Sequence, residues 1–423
     1  MSPSIILFGS LIILLLLSVP VGFALLFASL LTVLISDVSL PINLITQVLI
    51  TANDSFPLMA IPFFILAGAL MGKGGISERL FRIASSFVGH FQGGFAIAAV
   101  LTAMFFSAIS GSGPATVAAI GSIMIPAMVS RGYSKIFSTT IIAAAGTIGI
   151  VIPPSIPLVI YGVSANVSIG DLFIAGIIPG IMMGLSLIMW AVHHSKKNGF
   201  AVSEKASWKE RFKMLNQGKG ALLMPIIILG GIYGGVFTPT EAGVVAVVYA
   251  FILSGLVYKE LKWKEILSVI YQASMTTGSI MIIVAAAAVF GRILALEQIP
   301  NQIANAITNL TENPILFLLL INILLIVVGT FMETIAAVII LTPILLPLAT
   351  TLGIDPTHFG IIMIVNLSLG FITPPLGLNL FVASGISDIK IEKLSMAIVP
   401  AFIGLIITLL LITYVESFSL ILL

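Results

Sequence analysis

Residues 148–164 read IGIVIPPSIPLVIYGVS, and residues 369–385 read LGFITPPLGLNLFVASG. Each is an apolar segment interrupted by a Pro-Pro pair, Pro153-Pro154 and Pro374-Pro375, with a glycine four residues ahead of it, Gly149 and Gly370. Adjacent prolines remove two backbone donors and disfavour the α conformation before them, so a helix entering either stretch must break. In lipid the freed carbonyls have to be met by protein, water or an ion, and a helix broken at membrane depth marks a cavity or a binding site. The flanks do read as membrane-embedded. Of 423 residues, 59% are hydrophobic and 8% charged, against about 25% charged in an ordinary soluble domain. Apolar runs long enough to cross roughly 30 Å of hydrocarbon recur from end to end. The class is an all-α polytopic membrane protein.

Both copies sit in a longer repeat. Shifting the sequence by 221 residues superimposes Pro126 on Pro347, Gly132 on Gly353, Gly149 on Gly370, one Pro-Pro pair on the other, Asp171 on Glu392 and Pro179 on Pro400. Loop charge orients the halves, because Lys and Arg concentrate on the cytoplasmic side. Arg131 and Lys135 face a partner loop with Asp355 and no base. Lys390 and Lys393 face a baseless turn at 168–171, and Lys73, Arg79 and Arg82 face a baseless loop at 295–310. Three loop pairs of opposite bias are the mark of an inverted-topology repeat. The expected organisation is a first repeat at 1–194, a basic cytoplasmic linker at 195–220 and a second repeat at 221–423, with both chain ends outside. MSPSIILFGS lacks a basic segment before the first apolar run, so that run is expected to be retained.

Within each repeat an apolar run precedes the broken helix and is itself split. SGSGP (110–114) divides 93–129, and GTFMET (329–334) divides 313–348. Arms this short fall below the ~20 residues of a full span, which favours re-entrant hairpins over paired crossings. The broken helices are expected at 136–164 and 358–387. Around these breaks cluster the few polar residues at depth: Ser107, Ser110, Ser112, Thr116, Thr147, Thr330, Glu333, Thr334, Ser368, Thr373 and Asn379. Taken singly, such hydroxyls pack helices together. Gathered at two symmetry-related breaks, they add neutral oxygens to freed carbonyls, a shell suited to a small hard cation such as Na⁺. Helix N-termini there would face an anion. Glu333 is the one carboxylate at a hairpin tip, and it either serves function or caps the following helix.

Other chemistries find no support. With no His or Lys at depth, a buried serine has no base beside it. There is no GxxxxGK[ST] for nucleotide. Zero cysteines exclude disulfides, thiolate catalysis and Cys-ligated metals, and a net charge of +2 gives no sign of nucleic acid. A channel would need a continuous polar path, whereas polarity here is confined to the two breaks.

The blocks FFSAISGSGPATVAAIGSIMIPAM (105–128), GTIGIVIPPSIPLVIYG (146–162), DLFIAGIIPG (171–180) and HFGIIMIVNLSLGFITPPLGLNLFVASGIS (358–387) resemble the large membrane subunit, DctM- or SiaM-like, of tripartite ATP-independent periplasmic (TRAP) transporters. The resemblance spans essentially the whole chain. It implies an elevator-type secondary transporter of a bacterial inner membrane, importing an organic acid of the sialic acid or C4-dicarboxylate type with Na⁺. A small four-helix membrane subunit, expected as a separate polypeptide, and a periplasmic substrate-binding protein would be its partners. By motif, one Na⁺ site maps onto Ser107, Ser110, Gly149, Ile152 and Pro154, and a second onto Gly329, Met332, Gly370 and Thr373. The substrate would lie between the tips near Ser112, Thr334 and Asn379. Relatives often carry aspartate where this chain has Glu333, which leaves that residue's role open. A single-component proton- or Na⁺-coupled anion transporter of related fold is the alternative, with a channel or structural subunit behind it.

Overall fold

The structure, a computed structural model, describes residues 3–36, 41–200, 204–299, 302, 313–374 and 377–423. Pro375 and most of the 295–310 loop therefore lie outside the described residues. Among those described, all regular structure is helical. The chain opens with the expected helix pair, α1 (Pro3–Leu16) and α2 (Val21–Ile35), then a short α3 (Ile42–Thr51), α4 (Ala60–Lys73) and the charged α5 (Ile76–Val88). The first hairpin follows as α6 (Gly94–Ser110) and α7 (Gly113–Val129). The first broken helix is α8 (Lys135–Ala145), a 3₁₀ turn at Gly146–Ile150 and α9 (Ile156–Ala165), after which α10 (Ile169–Asn198) runs unbroken.

The second half repeats the order. Three helices come first: α11 (Trp208–Tyr233), α12 (Pro239–Phe251) with a π-helical end at Ile252–Val257, and α13 (Trp263–Leu296). The second hairpin is α14 (Pro314–Phe331) and α15 (Thr334–Thr351), and the second broken helix is α16 (Pro356–Gly370) and α17 (Leu378–Ser387). The chain ends with α18 (Ile391–Ala397), α19 (Val399–Tyr414) and α20 (Ser417–Leu420). Both breaks and both tips fall where the prolines and glycines put them.

The hydrophilic stretch 195–220 is helical over most of its length, because α10 continues to Asn198 and α11 starts at Trp208. A capping box starts α11: Glu210 accepts from the Ser207 N–H at 2.7 Å while the Ser207 hydroxyl accepts from the Glu210 N–H at 3.3 Å. Lys196 and Lys197 lie in the last turn of α10, where cations complement the helix dipole. The hairpin arms also differ. At 18 residues each, α14 and α15 just reach the length and apolarity of a crossing helix, whereas α6 and α7, at 17, do not. Seven described helices are long and apolar enough to cross a membrane, or eight if α18 and α19, bent by 52°, count as one span.

The helices sort into an outer frame and an inner bundle. In the frame α4 packs on α12, α2 on α13 and α5 on α11, and Arg79 of α5 bridges to Glu260 at 2.6 Å. Inside, each hairpin's second arm rests on the far half of the other repeat's broken helix, α7 on α17 and α15 on α9. Tyr161 of α9, fully buried, donates to the Pro356 carbonyl at 2.6 Å and joins the two broken helices. Burial is deepest at these breaks: every residue of α16 after Pro356 is buried, and so is α8 from Phe137 onward. Lipid is thus kept from the freed carbonyls, as broken helices require.

Candidate functional site

At the first break, hairpin and broken helix meet backbone to backbone. Gly111 ends α6 in the left-handed region, φ 58°, and a Cβ there would lie 2.9 Å from the Pro154 carbonyl oxygen. Ser112 then caps α7, its side chain accepting from the Ala115 N–H at 3.4 Å. Such a cap stabilises a helix start by about 1 kcal/mol. Ser110 Oγ lies 2.9 Å from Thr116 Oγ1, and the Thr116 hydroxyl donates to the Ser112 carbonyl at 2.8 Å. Gly149 presses on this cluster: a Cβ at Gly149 would fall 2.7 Å from Ser112 O and 2.9 Å from Thr116 Oγ1. The result is a knot of neutral oxygens from Ser110, Ser112 and Thr116, with Gly149 against it and the Pro154 carbonyl facing the tip.

Two residues mapped to this site, Ser107 and Ile152, stand apart from it, as do two other hydroxyls near the breaks, Thr147 and Ser368. Ser107 donates to Ala103 O at 2.6 Å and its carbonyl accepts from Gly111, so among the described residues its bonds stay in its own helix. The Ile152 side chain packs on Gly180 of α10, which leaves only its main chain for any role at the break. Thr147 and Ser368, both buried, bond back to Ala144 and Val365. Thr116, in turn, belongs at the centre of the first site. It was one hydroxyl among many in sequence, and its place one turn after Ser112 is what brings it back onto Ser110.

At the second break the contact is closer still. A Cβ on Gly370 would lie 2.6 Å from Gly329 Cα and closer to that residue's carbonyl, so α14 and α16 touch through bare backbone. Met332 follows in extended conformation, and Glu333 caps α15 by accepting from Ile335 N–H at 2.9 Å and Ala336 N–H at 3.3 Å. Thr373 donates its hydroxyl to Leu369 O at 2.8 Å, so it closes the end of α16. Side-chain oxygens dominate the first break, and main chain dominates the second.

Between the tips and the frame lies a cavity of about 730 Å³. Ser110, Ser112, Glu333 and Thr334 form its tip side, and Lys73 is the one cation among its described lining residues. Thr334 Oγ1 is buried and has no hydrogen-bond partner among the described residues. The opposite wall is one face of α13, where Gln272, Thr276 and Ser279 project from an apolar helix. Their spacing of four and three residues is a helical face legible in the sequence and not singled out there. Ser112 and Thr334 thus line the cavity together. Asn379, expected beside them, does not: fully buried, it donates to Ala143 O at 3.2 Å and stitches α17 to α8. The fit to a small cation is good at the first break, where three neutral oxygens and a Cβ-free glycine converge.

Comparison with known proteins identifies the family. The chain is 49% identical over 98% of its length to the isethionate TRAP transporter permease protein DctMQ of Oleidesulfovibrio alaskensis, of which it covers 65%. It is 44% identical to the C4-dicarboxylate TRAP transporter large permease protein DctM of Pseudomonas aeruginosa, over 88% of this chain and 87% of that one. To the sialic acid TRAP transporter large permease protein SiaM of Vibrio cholerae it is 40% identical, over 95% and 94%. In fold it resembles the Alcanivorax borkumensis YdaH transporter at TM-score 0.67 and 15% identity, over 90% of each chain. It also resembles Neisseria gonorrhoeae MtrF at 0.60 and 13%, over 87% and 83%. The family model for the DctM component of the tripartite ATP-independent periplasmic transporter matches residues 8–418, and the chain belongs to that family of transporter permeases.

Proposed function

We propose that this chain is the large permease subunit of a TRAP system that imports an organic acid with Na⁺. The observation that carries the reading is the pairing of two hairpin tips with two broken helices beside one cavity of about 730 Å³. C-terminal ends of α6, α8, α14 and α16 and the hydroxyls of Ser110 and Thr116 offer partial negative charge to the cation. N-terminal ends of α7, α9, α15 and α17 offer partial positive charge to the anion. Isethionate, C4-dicarboxylates and sialic acid, named for the relatives, are all organic acids. A periplasmic binding protein would deliver the acid, and a small membrane subunit would pack on the frame. The membrane is a bacterial inner membrane, and the repeats are inverted, a reading that the reciprocal packing of α7 on α17 and α15 on α9 supports. The inner bundle would shift against the frame as an elevator. Lys73, expected on the cytoplasmic side, lines the cavity and would mark its cytoplasmic end.

Glu333 favours one second reading. A carboxylate open to the cavity can carry a proton, which is how a proton-coupled transporter of related fold would work. Reconstitution separates the two. With binding protein and small subunit present, uptake into proteoliposomes should need an inward Na⁺ gradient and ignore ATP. Full uptake driven by a proton gradient in Na⁺-free buffer would overturn the sodium reading in favour of the second.

A further inference from the structure

A buried polar chain runs beneath the second break and has no counterpart beneath the first. Asn366 of α16 donates to Asn322 Oδ1 of α14 at 2.7 Å, and Asn322 donates in turn to Thr413 Oγ1 of α19 at 3.2 Å. His358, at the start of α16, lies 3.3 Å from the Thr413 carbonyl through Nε2. All four side chains are at most 3% exposed. At the positions 221 residues earlier stand Phe137, Leu101, Ala145 and Val192, none of which can make these bonds. Asymmetry in an otherwise matched repeat asks for a reason, since buried amides are costly unless paired. Packing alone is satisfied without them in the first half.

Position supplies the reason. Asn366 precedes Gly370 by one helical turn, and Asn322 precedes Gly329 by two, so the amide pair crosses the same two helices whose backbones touch at Gly329 and Gly370. The first break gathers Ser110 and Thr116 hydroxyls around its oxygens, whereas the second relies on main chain. A main-chain site is set by helix spacing and cannot be tuned by a rotamer.

We propose that Asn322, Asn366 and Thr413 are positioning residues that fix the spacing of α14 and α16 and thereby set cation affinity at the second break. The inference rests on the sodium reading above. The Asn366 amide nitrogen donates both to Ile362 O of its own helix and to Asn322 Oδ1, each at 2.7 Å, so Asn322 is its cross-helix partner, while Asn366 Oδ1 is buried with no partner among the described residues.

Thr413→Val tests this by removing a hydroxyl with little change in shape, and Thr413→Ser restores it. Thr408→Val is the control, since the Thr408 hydroxyl on the same helix bonds only to Gly404 O at 2.9 Å among the described residues. The readout is the NaCl concentration giving half-maximal thermal stabilisation of the purified permease with its small subunit, choline chloride holding ionic strength constant. Thr413→Val should raise that concentration about fivefold, the lower end of what losing one buried hydrogen bond does, whatever its melting temperature without Na⁺. Thr413→Ser and Thr408→Val should stay at the wild-type value. A Thr413→Val protein that is less stable but has unchanged Na⁺ dependence overturns the positioning role and leaves the sodium reading intact. A wild-type protein that Na⁺ does not stabilise overturns both.

Discussion

Gly370→Ala is expected to cut transport sharply while leaving the protein in the membrane. The new methyl would sit 2.6 Å from Gly329 Cα and closer to its carbonyl, and no flexible side chain is available to give way. Either α14 or α16 must move. Overpacking of this kind costs about 1–3 kcal/mol where side chains can adjust, and backbone against backbone lies at or above the top of that range. A displacement there separates the oxygens of the second break, so uptake should fall at least about tenfold, the equivalent of 1.4 kcal/mol. Gly385→Ala is the control, because it lies in the other half of the same broken helix with nothing within 4 Å of its Cβ. Equal uptake by the two variants at equal expression would show that close approach at Gly370 is dispensable.

Ser110→Ala should act differently, on affinity before rate. The Ser110 hydroxyl pairs with Thr116 Oγ1 at 2.9 Å, and the Ser112 carbonyl stands 3.4 Å away. Losing it removes one oxygen from the proposed shell and leaves Thr116 bonded only to the Ser112 carbonyl. The Na⁺ concentration for half-maximal uptake should rise by about five- to tenfold, carrying the apparent substrate affinity with it by linkage. Thr373→Ala should shift it less, since that hydroxyl already serves Leu369 O. Thr32→Ala, buried in α2 and bonded to Ala28 O at 2.7 Å, reports the effect of losing a packing hydroxyl in the frame. Matching losses in Ser110→Ala and Thr32→Ala would reduce Ser110 to packing.

Much of this was written in prolines and glycines. Pro153-Pro154 and the SGSGP and GTFMET turns located the breaks and tips, because local backbone chemistry overrides hydrophobic pattern wherever a donor is missing or φ must be positive. Side-chain direction was less legible. Asn379 sits at the start of α17, just after a break, and reads as a cavity residue, yet its side chain donates to Ala143 O of α8. Thr116 and Asn322 depend on which helix lies opposite, a tertiary fact that one sequence does not encode locally. The helical start within 195–220 is legible in principle through the Ser207–Glu210 capping box, which the sequence reading of a basic linker did not use.

One measurement reaches the central claim directly: simultaneous entry of radiolabelled Na⁺ and radiolabelled organic acid into the same proteoliposomes, with the binding protein outside. The expected result is Na⁺ entry only when acid enters, at no less than one Na⁺ for each of the two breaks. Gly370→Ala should suppress both fluxes together. Acid entry at full rate with no accompanying Na⁺ would contradict ion coupling at the broken helices.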